Sequence, residues 1–530
     1  MKKSITLVIA LLGICFNMTA QSEPTSIRKL NYATYAIDRF YVDTVNQEKL
    51  VEDAIIGMLK ELDPHSTYMN AEEVKEMNEP LQGNFDGIGV QFNILNDTLF
   101  IISTIAGGPS EKVGVLAGDR IIAVNDTAIA GVKMSNTDIM KRLRGPKGTK
   151  VDIKVVRRGV SEPIDFRIVR DKIPIYSLDA AYMADNKTGY IRISRFGATT
   201  FDEFIEALEK LKKDGMKNLI LDLQSNGGGY LNAAIDMANE FLDAGELIVY
   251  TQGRKSPREE AISNKTGRFK TGKLIVLVDE STASASEIVS GAVQDLDRGV
   301  IVGRRTFGKG LVQRPVPLPD GSMMRLTIAR YYTPSGRSIQ KPYTDGVDNY
   351  NKDILNRYNR GELSSADSIH FPDSLKYTTI HNKRTVYGGG GIMPDIFVPL
   401  DTTKYTDVHR DIVAKGVLNQ FVIDYFDKNQ KALKSKYKNF ESFNKGFEVT
   451  PELLNDLKKK AIDEGVKIDE QQFEKSSPLI ALQIKALIAR DLFDISDYFR
   501  IINSNDDIYK KALEIINNDN EYNRLLSQKK

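Results

Sequence analysis

Hydrophobic positions recur along this chain with two periods, and the places where the period changes divide it. Residues 23 to about 80 carry apolar residues at helical spacing, with Leu50, Val51, Ala54, Ile55, Met58 and Leu59 on one stripe. The stretch LDPHSTYMNAEE then punctuates the pattern and starts another helix. From about 83 to 172 short strands take over. GIGVQFNI and DTLFIISTI flank the turn Asn96-Asp97, which predicts a hairpin, and TKVDIKVVRRG predicts a further strand. Residues 173 to 400 alternate between the two periods. TGYIRISRF reads as a strand and TFDEFIEALEKLKKDGM as an amphipathic helix ending near Gly215. KNLILDLQSNGGGYLNAAIDMANEFL reads as strand, glycine loop and helix, and GKLIVLVDESTASASEIVSGAVQDL repeats that form. A hairpin is predicted around Pro319-Asp320-Gly321. Such alternation predicts an α/β layered core. Beyond 400 the chain is helical and charge-rich. Val413, Val417, Phe421 and Tyr425 form one predicted core face, and Ile480, Ile484, Leu487 and Ile488 another.

Composition narrows the class. The 530 residues suffice for three or four domains, and 41% hydrophobic with 27% charged residues fits a soluble globular protein. A net charge of +2 gives no electrostatic case for nucleic acid as a partner. At the N-terminus, Lys2 and Lys3 precede an apolar run from Ile5 to about Met18, followed by small and polar residues. This is the layout of a secretory signal over residues 1–22, and it predicts export to a periplasm. An uncleaved anchor is the competing reading, with the protein then membrane-associated. Cys15 is the one cysteine. Removal of the signal would leave none, which excludes disulfides, thiolate metal sites and cysteine nucleophiles.

Three segments of the alternating region carry candidate chemistry. VDESTASASEIVSGAVQD holds Ser281, Ser284, Ser286 and Ser290 between a strand and a helix. Ser284 and Glu287 have capping-box spacing, so the cluster reads either as a helix start or as the seat of a nucleophile. In TFGKGLVQ, Lys309 sits between Gly308 and Gly310, and Gln313 lies four residues on, on the same face if the segment is extended. In LDLQSNGGGYL, Gly227, Gly228 and Gly229 follow a strand and open a helix, where free N–H groups can hold an anion. That loop has neither the G-x-G-x-x-G spacing nor a Walker-type GK(S/T), which sets nucleotide binding aside. His65, His370, His381 and His409 show no H-E-x-x-H spacing, which speaks against a metalloprotease.

The residues also carry resemblances. Gly87-Ile88-Gly89-Val90 resembles the carboxylate-binding loop of a PDZ domain, in which glycines let successive N–H groups converge on a peptide C-terminus. GGPSEKVGVLAGDRIIAVND resembles the helix, turn and strand that follow in that family, with Asp126 where glycine is usual. STASASEI, QD and FGKG-x-VQ, with DL-x-x-N-x-GG upstream, resemble the C-terminal processing (tail-specific) serine peptidases; LDPHSTYM and VYGGGGIMPDI occur in that family's order. The resemblance runs from about residue 30 to 400.

It implies an α/β, multidomain protein: a ClpP/crotonase-like protease core with an inserted PDZ domain and helical terminal regions. The expected layout is signal 1–22, N-terminal helical region 23–82, PDZ domain 83–172, peptidase core 173–400 and C-terminal helical region 401–530. Carried over, Ser284 is the nucleophile, Lys309 the general base and Gln313 the residue that orients it. Ser286 is the nearest competitor to Ser284, and the interval to Lys309 decides against it. The N–H groups of Gly228 and Ala285 would form the oxyanion hole, in a loop where Gly227 replaces a common proline. Asp295 reads as structural, and Arg144 as a link between PDZ domain and core. Implied substrates are proteins with exposed apolar C-termini; no cofactor and no metal are implied. Helical flanks leave a homodimer and a regulatory adaptor open as partners. A non-catalytic ligand-binding protein or PDZ scaffold on the same fold is the alternative.

Overall fold

Strands that are apolar on both faces need cover on both faces, and the central sheet of this protein obtains it from two distant parts of the chain. The computed structural model describes residues 24–95 and 97–527; the expected signal segment with Cys15, and Asn96 of the hairpin turn, lie outside the described residues. Six strands run in the order Leu178–Met183, Thr188–Ile193, Asn218–Asp222, Leu274–Val278, Val300–Gly303, Ile396–Phe397. The first pair is antiparallel and the rest are parallel. Ile191, Leu219, Leu221, Val276 and Ile301 face the helices Thr200–Lys213, Leu231–Asn239 and Ala285–Asp295. The alternate residues Tyr190, Ile220, Ile275, Leu277 and Val302 face Ile508, Ala512, Ile515 and Ile516 of the helix Asp507–Asn517, and Tyr522 and Leu525 of Asp519–Ser527. The last two helices therefore belong to the core, and the expected boundary at residue 401 does not separate them from it.

A second, antiparallel sheet joins Leu247–Gln252, Glu259–Ile262, Leu311–Pro317 and Met323–Tyr332. The inserted domain is a sheet of Val90–Leu95, Thr98–Thr104, Arg120–Val124, Lys150–Val156 and Ile164–Val169, closed over its core by the helix Asn136–Leu143. Entry and exit strands of the insertion, Asn84–Gly87 and Asp171–Pro174, pair with each other.

Residues from Val408 to Ile501 build their own core on the helices Asp407–Ala414, Val417–Lys436, Pro451–Asp463 and Glu470–Leu492. Ile480, Ile484, Leu487 and Ile488 are buried there. Val413 is not; it is 43% exposed, because Gly416 in a left-handed conformation breaks the stripe into two helices. This region reaches the inserted domain through Asp427, which accepts from Arg120 (2.8 Å), and through Ile423 beside Phe100.

The described residues up to Tyr68 form a separate unit. Its helices are Thr25–Phe40 and Gln47–Lys60. Leu59 is buried, whereas Val51 and Met58 of the predicted stripe are exposed. No helix among the described residues is long and apolar enough to cross a membrane.

Candidate active site

The serine segment leaves the fully buried strand Leu274–Val278 and turns sharply. Asp279 ties the turn, accepting from the N–H groups of Ser281 and Thr282 and from the N–H and hydroxyl of Ser225 on the neighbouring loop. The Thr282 hydroxyl donates to Leu223 O (2.9 Å), and Ala283 N–H to Asn226 O (2.9 Å). Ser284 sits at the apex with φ +57° and ψ −115°, a conformation that a residue with a Cβ adopts at a cost and keeps only when its surroundings over-determine it. The helix Ala285–Asp295 starts immediately after. Its first N–H groups have no partner within the helix's own ladder.

Ser286 is different. Its side chain is buried and its hydroxyl donates to Asn226 O (3.0 Å), so it serves as a tie between the turn and the glycine loop. Asp295, at the far end of the helix, is buried and paired with the equally buried Arg337 (2.7 Å).

The glycine loop packs against the serine. A Cβ on Gly228 (φ +97°) would lie 2.7 Å from Ser284 Cβ and 2.9 Å from Ala285 N, so only glycine permits this approach. Asn226, fully buried, donates to Ile193 O (2.8 Å), while its Oδ1 accepts from Gly228 N–H (2.9 Å). The Gly228 N–H, the expected second oxyanion donor, is thus satisfied here by a buried amide within its own loop.

Lys309 arrives on a loop held by one carboxylate. Glu287 Oε2 accepts from the N–H groups of both Ser284 (2.8 Å) and Lys309 (2.9 Å). Its Oε1 accepts from Gly308 N–H (2.7 Å) and the Thr306 hydroxyl (2.5 Å). Burial pushes this carboxyl above the ordinary range, against the pull of those four donors. Glu287 stood in the sequence as a helix-cap glutamate. The capping spacing was a signal for it, but the reach to Lys309 was not visible. Tyr331, which the sequence did not single out, donates its hydroxyl to Ser284 O (3.1 Å). Burial raises that phenol, so it stays a neutral donor.

Ser284, Ala285, Gly228, Lys309, Gln313 and Tyr331 all line one cavity of about 560 Å³. Lys309 and Gln313 reach it by a route other than simple even spacing: the strand begins at Leu311, and its register is irregular between Val312 and Gln313. Ile288, Leu231, Leu311, Met323 and Leu81 make the cavity wall largely apolar.

In the inserted domain, Gly87 ends a strand, Gly89 has φ +75°, and Val90 opens an edge strand. The carbonyls of Ile88 and Gly89 are taken up inside the domain, by Ser110 N–H (3.0 Å) and Ile105 N–H (2.9 Å). Arg144, at the end of the Asn136–Leu143 helix, donates to Glu79 (2.7 Å) on the helix Ala71–Gln82. Lys141 pairs with Glu72 of the same helix (2.8 Å). Met77, Asn78, Pro80 and Leu81 of that helix line the cavity. Arg144 thus connects the inserted domain to a wall of the cavity.

Comparison with known proteins agrees with this layout. Residues 187–349 match the model of peptidase family S41, residues 100–157 that of a PDZ domain, and residues 16–73 that of the activating protease CtpB N-terminal domain. Residues 408–494 match a family of unknown function. A carboxy-terminal-processing protease of Bartonella bacilliformis is 38% identical over 344 residues, which is 63% of this chain and 78% of that one. The carboxy-terminal processing protease CtpA of Bacillus subtilis is 38% identical over 61% of this chain and 68% of its own. Among solved structures, a photosystem II D1 C-terminal processing protease is 30% identical, with 60% of this chain and 91% of that one covered and a TM-score of 0.34.

Proposed function

Because the chain belongs to the carboxy-terminal processing proteases, a group of serine peptidases with a PDZ domain, we propose that Ser284 and Lys309 form its catalytic dyad, and that it acts after export on proteins recognised by their C-terminal tails. The observation that carries the dyad is the shared acceptor: one Glu287 oxygen takes the N–H of both residues, which brings their backbones together at the cavity.

The chemistry follows from charge. An ammonium cannot accept a proton, and a lysine near its usual pKa of about 10.4 is charged at neutral pH. Shielding from water disfavours the ammonium, so an amine facing a largely apolar cavity can be held neutral. Ser284 Oγ attacks the scissile carbonyl carbon as its proton passes to Lys309 Nζ. Collapse of the tetrahedral intermediate breaks the C–N bond, and the Lys309 ammonium returns the proton to the leaving amine. Water then attacks the acyl-enzyme by the same proton route, releasing the acid and restoring Ser284. Gln313 orients the amine. The Ala285 N–H, at the helix start, meets the oxyanion, and the helix dipole favours negative charge there. The Gly228 N–H joins it once released from Asn226.

Tail recognition rests on the Gly87–Val90 loop and the edge strand behind it, which suit addition of a peptide strand with its terminal carboxylate on the loop. The contacts Arg144–Glu79 and Lys141–Glu72 give that event a route to the cavity wall. The apolar lining suits apolar side chains next to the cleaved bond.

Ser284→Ala and Lys309→Ala, tested separately on an unfolded protein with an apolar C-terminus, should each lower cleavage by roughly a thousandfold or more. Undiminished cleavage in either variant contradicts the assignment.

A further inference from the structure

The loop that carries Lys309 is held along its whole length, and not only by Glu287. Thr306 N–H donates to Ile392 O (3.1 Å), Phe307 N–H to Thr282 O (2.9 Å) and Gly310 N–H to Gln340 Oε1 (2.8 Å). The carbonyls point the other way, toward one side chain. Arg357, on the short helix Asp353–Asn359, donates from Nη1 to Thr306 O (2.8 Å) and from Nη2 to Phe307 O (3.2 Å), with Nη1 also 3.5 Å from Arg305 O. The next carbonyl, Gly308 O, takes the Lys341 N–H (2.9 Å).

Arg357 is 1% exposed, which makes it one of the largest fully buried side chains among the described residues. A guanidinium so placed has given up its hydration and depends on its hydrogen bonds and ion pair to offset that loss. Asp353 faces its Nε at 3.0 Å and also takes the Lys341 ammonium at 3.0 Å. Lys341 Nζ in turn lies 3.8 Å from the centroid of the Phe307 ring. Desolvation lowers the Arg357 guanidinium to about 10, which still leaves it charged at neutral pH. None of these groups touches the cavity that holds Ser284. The Arg357 guanidinium and the Lys341 N–H converge on the main chain immediately before Lys309.

We propose that Arg357 is a positioning residue for the proton-accepting amine. It fixes the carbonyls of the 305–307 segment while Glu287 fixes the N–H groups of Gly308 and Lys309 that follow, and so holds Lys309 at Ser284 and away from water. The proposal rests on the Ser284–Lys309 reading above. Arg357 lies beyond the residues that match the peptidase model, so the chain brings this clamp from outside the matched core.

The test uses the full chain with Arg357→Gln, Arg357→Lys and Lys309→Ala. Steady-state cleavage of a fluorogenic peptide is followed from pH 5 to 10, with thermal melting of each variant. In Arg357→Gln, kcat should fall roughly tenfold or more while KM moves less than about twofold, because the loss is one of orientation. The rising limb of kcat/KM against pH should move to higher pH, since a loosened loop lets water reach the ammonium and stabilise it. Arg357→Lys should recover part of both effects. If Arg357→Gln does not fold, the same two shifts are read in Arg357→Lys, at a smaller size.

A folded Arg357 variant with an unmoved pH limb overturns the proposal, whether its kcat is unchanged or falls only in step with the folded fraction. Cleavage that survives in Lys309→Ala sinks the dyad itself. A dead Lys309→Ala beside an unmoved Arg357 variant sinks the positioning role alone.

Discussion

The main-chain N–H groups of Ser284 and Lys309 end on the same atom, Oε2 of Glu287, at 2.8 and 2.9 Å. Two residues far apart in the chain are thereby held to one point, and the other carboxylate oxygen holds Gly308 and Thr306. The carboxylate is buried, so each donor depends on it.

Glu287→Gln replaces one acceptor oxygen by a donor of the same size. Whichever way the amide turns, two buried donors lose their acceptor. Leaving buried groups unpaired costs about 1–3 kcal/mol each, so denaturant melting should show a loss of about 2–5 kcal/mol. Cleavage by the protein that remains folded should fall as well, because the two residues lose their common tether. Melting and cleavage both equal to wild type would contradict the tether.

Gly228→Ala tests the close approach of the glycine loop. Its Cβ would sit within 2.8 Å of Ala283 O and 2.7 Å of Ser284 Cβ, at a φ of +97°. The loop must withdraw from the serine to admit it. Cleavage should drop roughly a hundredfold or more, on the scale seen when an oxyanion donor is displaced. Circular dichroism should show the core sheet retained. Full activity would mean that this loop stands apart from the chemistry.

The Arg144–Glu79 pair, 2.7 Å apart, joins the PDZ domain to the helix that lines the cavity. Arg144→Glu and Glu79→Arg should each reduce cleavage of a substrate with an apolar tail, by up to about fivefold given the modest strength of part-exposed ion pairs. The double swap should recover part of that loss. Losses that simply multiply in the double variant would show that the pair transmits nothing.

In the C-terminal helical region, burial and the neighbouring Asp494 push the Asp497 carboxyl up to about 6. The unfolded value is near 3.9. Between the two, the folded chain holds a proton that the unfolded chain has lost, so this group's contribution to stability falls as pH rises from about 4 through 6 and levels off above. Asp497→Asn should remove that slope. The difference in unfolding free energy between wild type and variant, measured by urea titration across pH 4 to 8, reports it; a pH-independent difference would contradict the raised value.

Much of this arrangement is legible in residue patterns, because strands and their loops are local. The run Leu274–Val278 and the Leu311–Pro317 and Met323–Tyr332 hairpin form where the alternation predicts them. The motifs around Ser284, Lys309 and Gly228 come to one cavity. What the patterns do not reveal depends on distant partners. Gly228 N–H is taken by Asn226 Oδ1, a contact that spacing alone cannot show. Glu287 reads as a cap because its first bond, to Ser284, is a cap bond; its other partners lie about twenty residues on. Gln313 reaches the cavity past an irregular register that breaks period-two counting. The helices from Asp507 onward look like an appendix, yet they cover half of the central sheet, which no local periodicity can assign. Arg357 has no motif at all. Its role lies in three carbonyls contributed by another segment.

The central claim is that Ser284 is a nucleophile made reactive by Lys309. A fluorophosphonate that phosphonylates activated serines with loss of fluoride, reacted with the full chain and located by peptide mass spectrometry, tests it most directly. The account predicts one modified residue, Ser284, with Ser286 untouched, and labelling slowed at least a hundredfold in Lys309→Ala. A label on another serine, or equal labelling rates with and without the lysine, would contradict it.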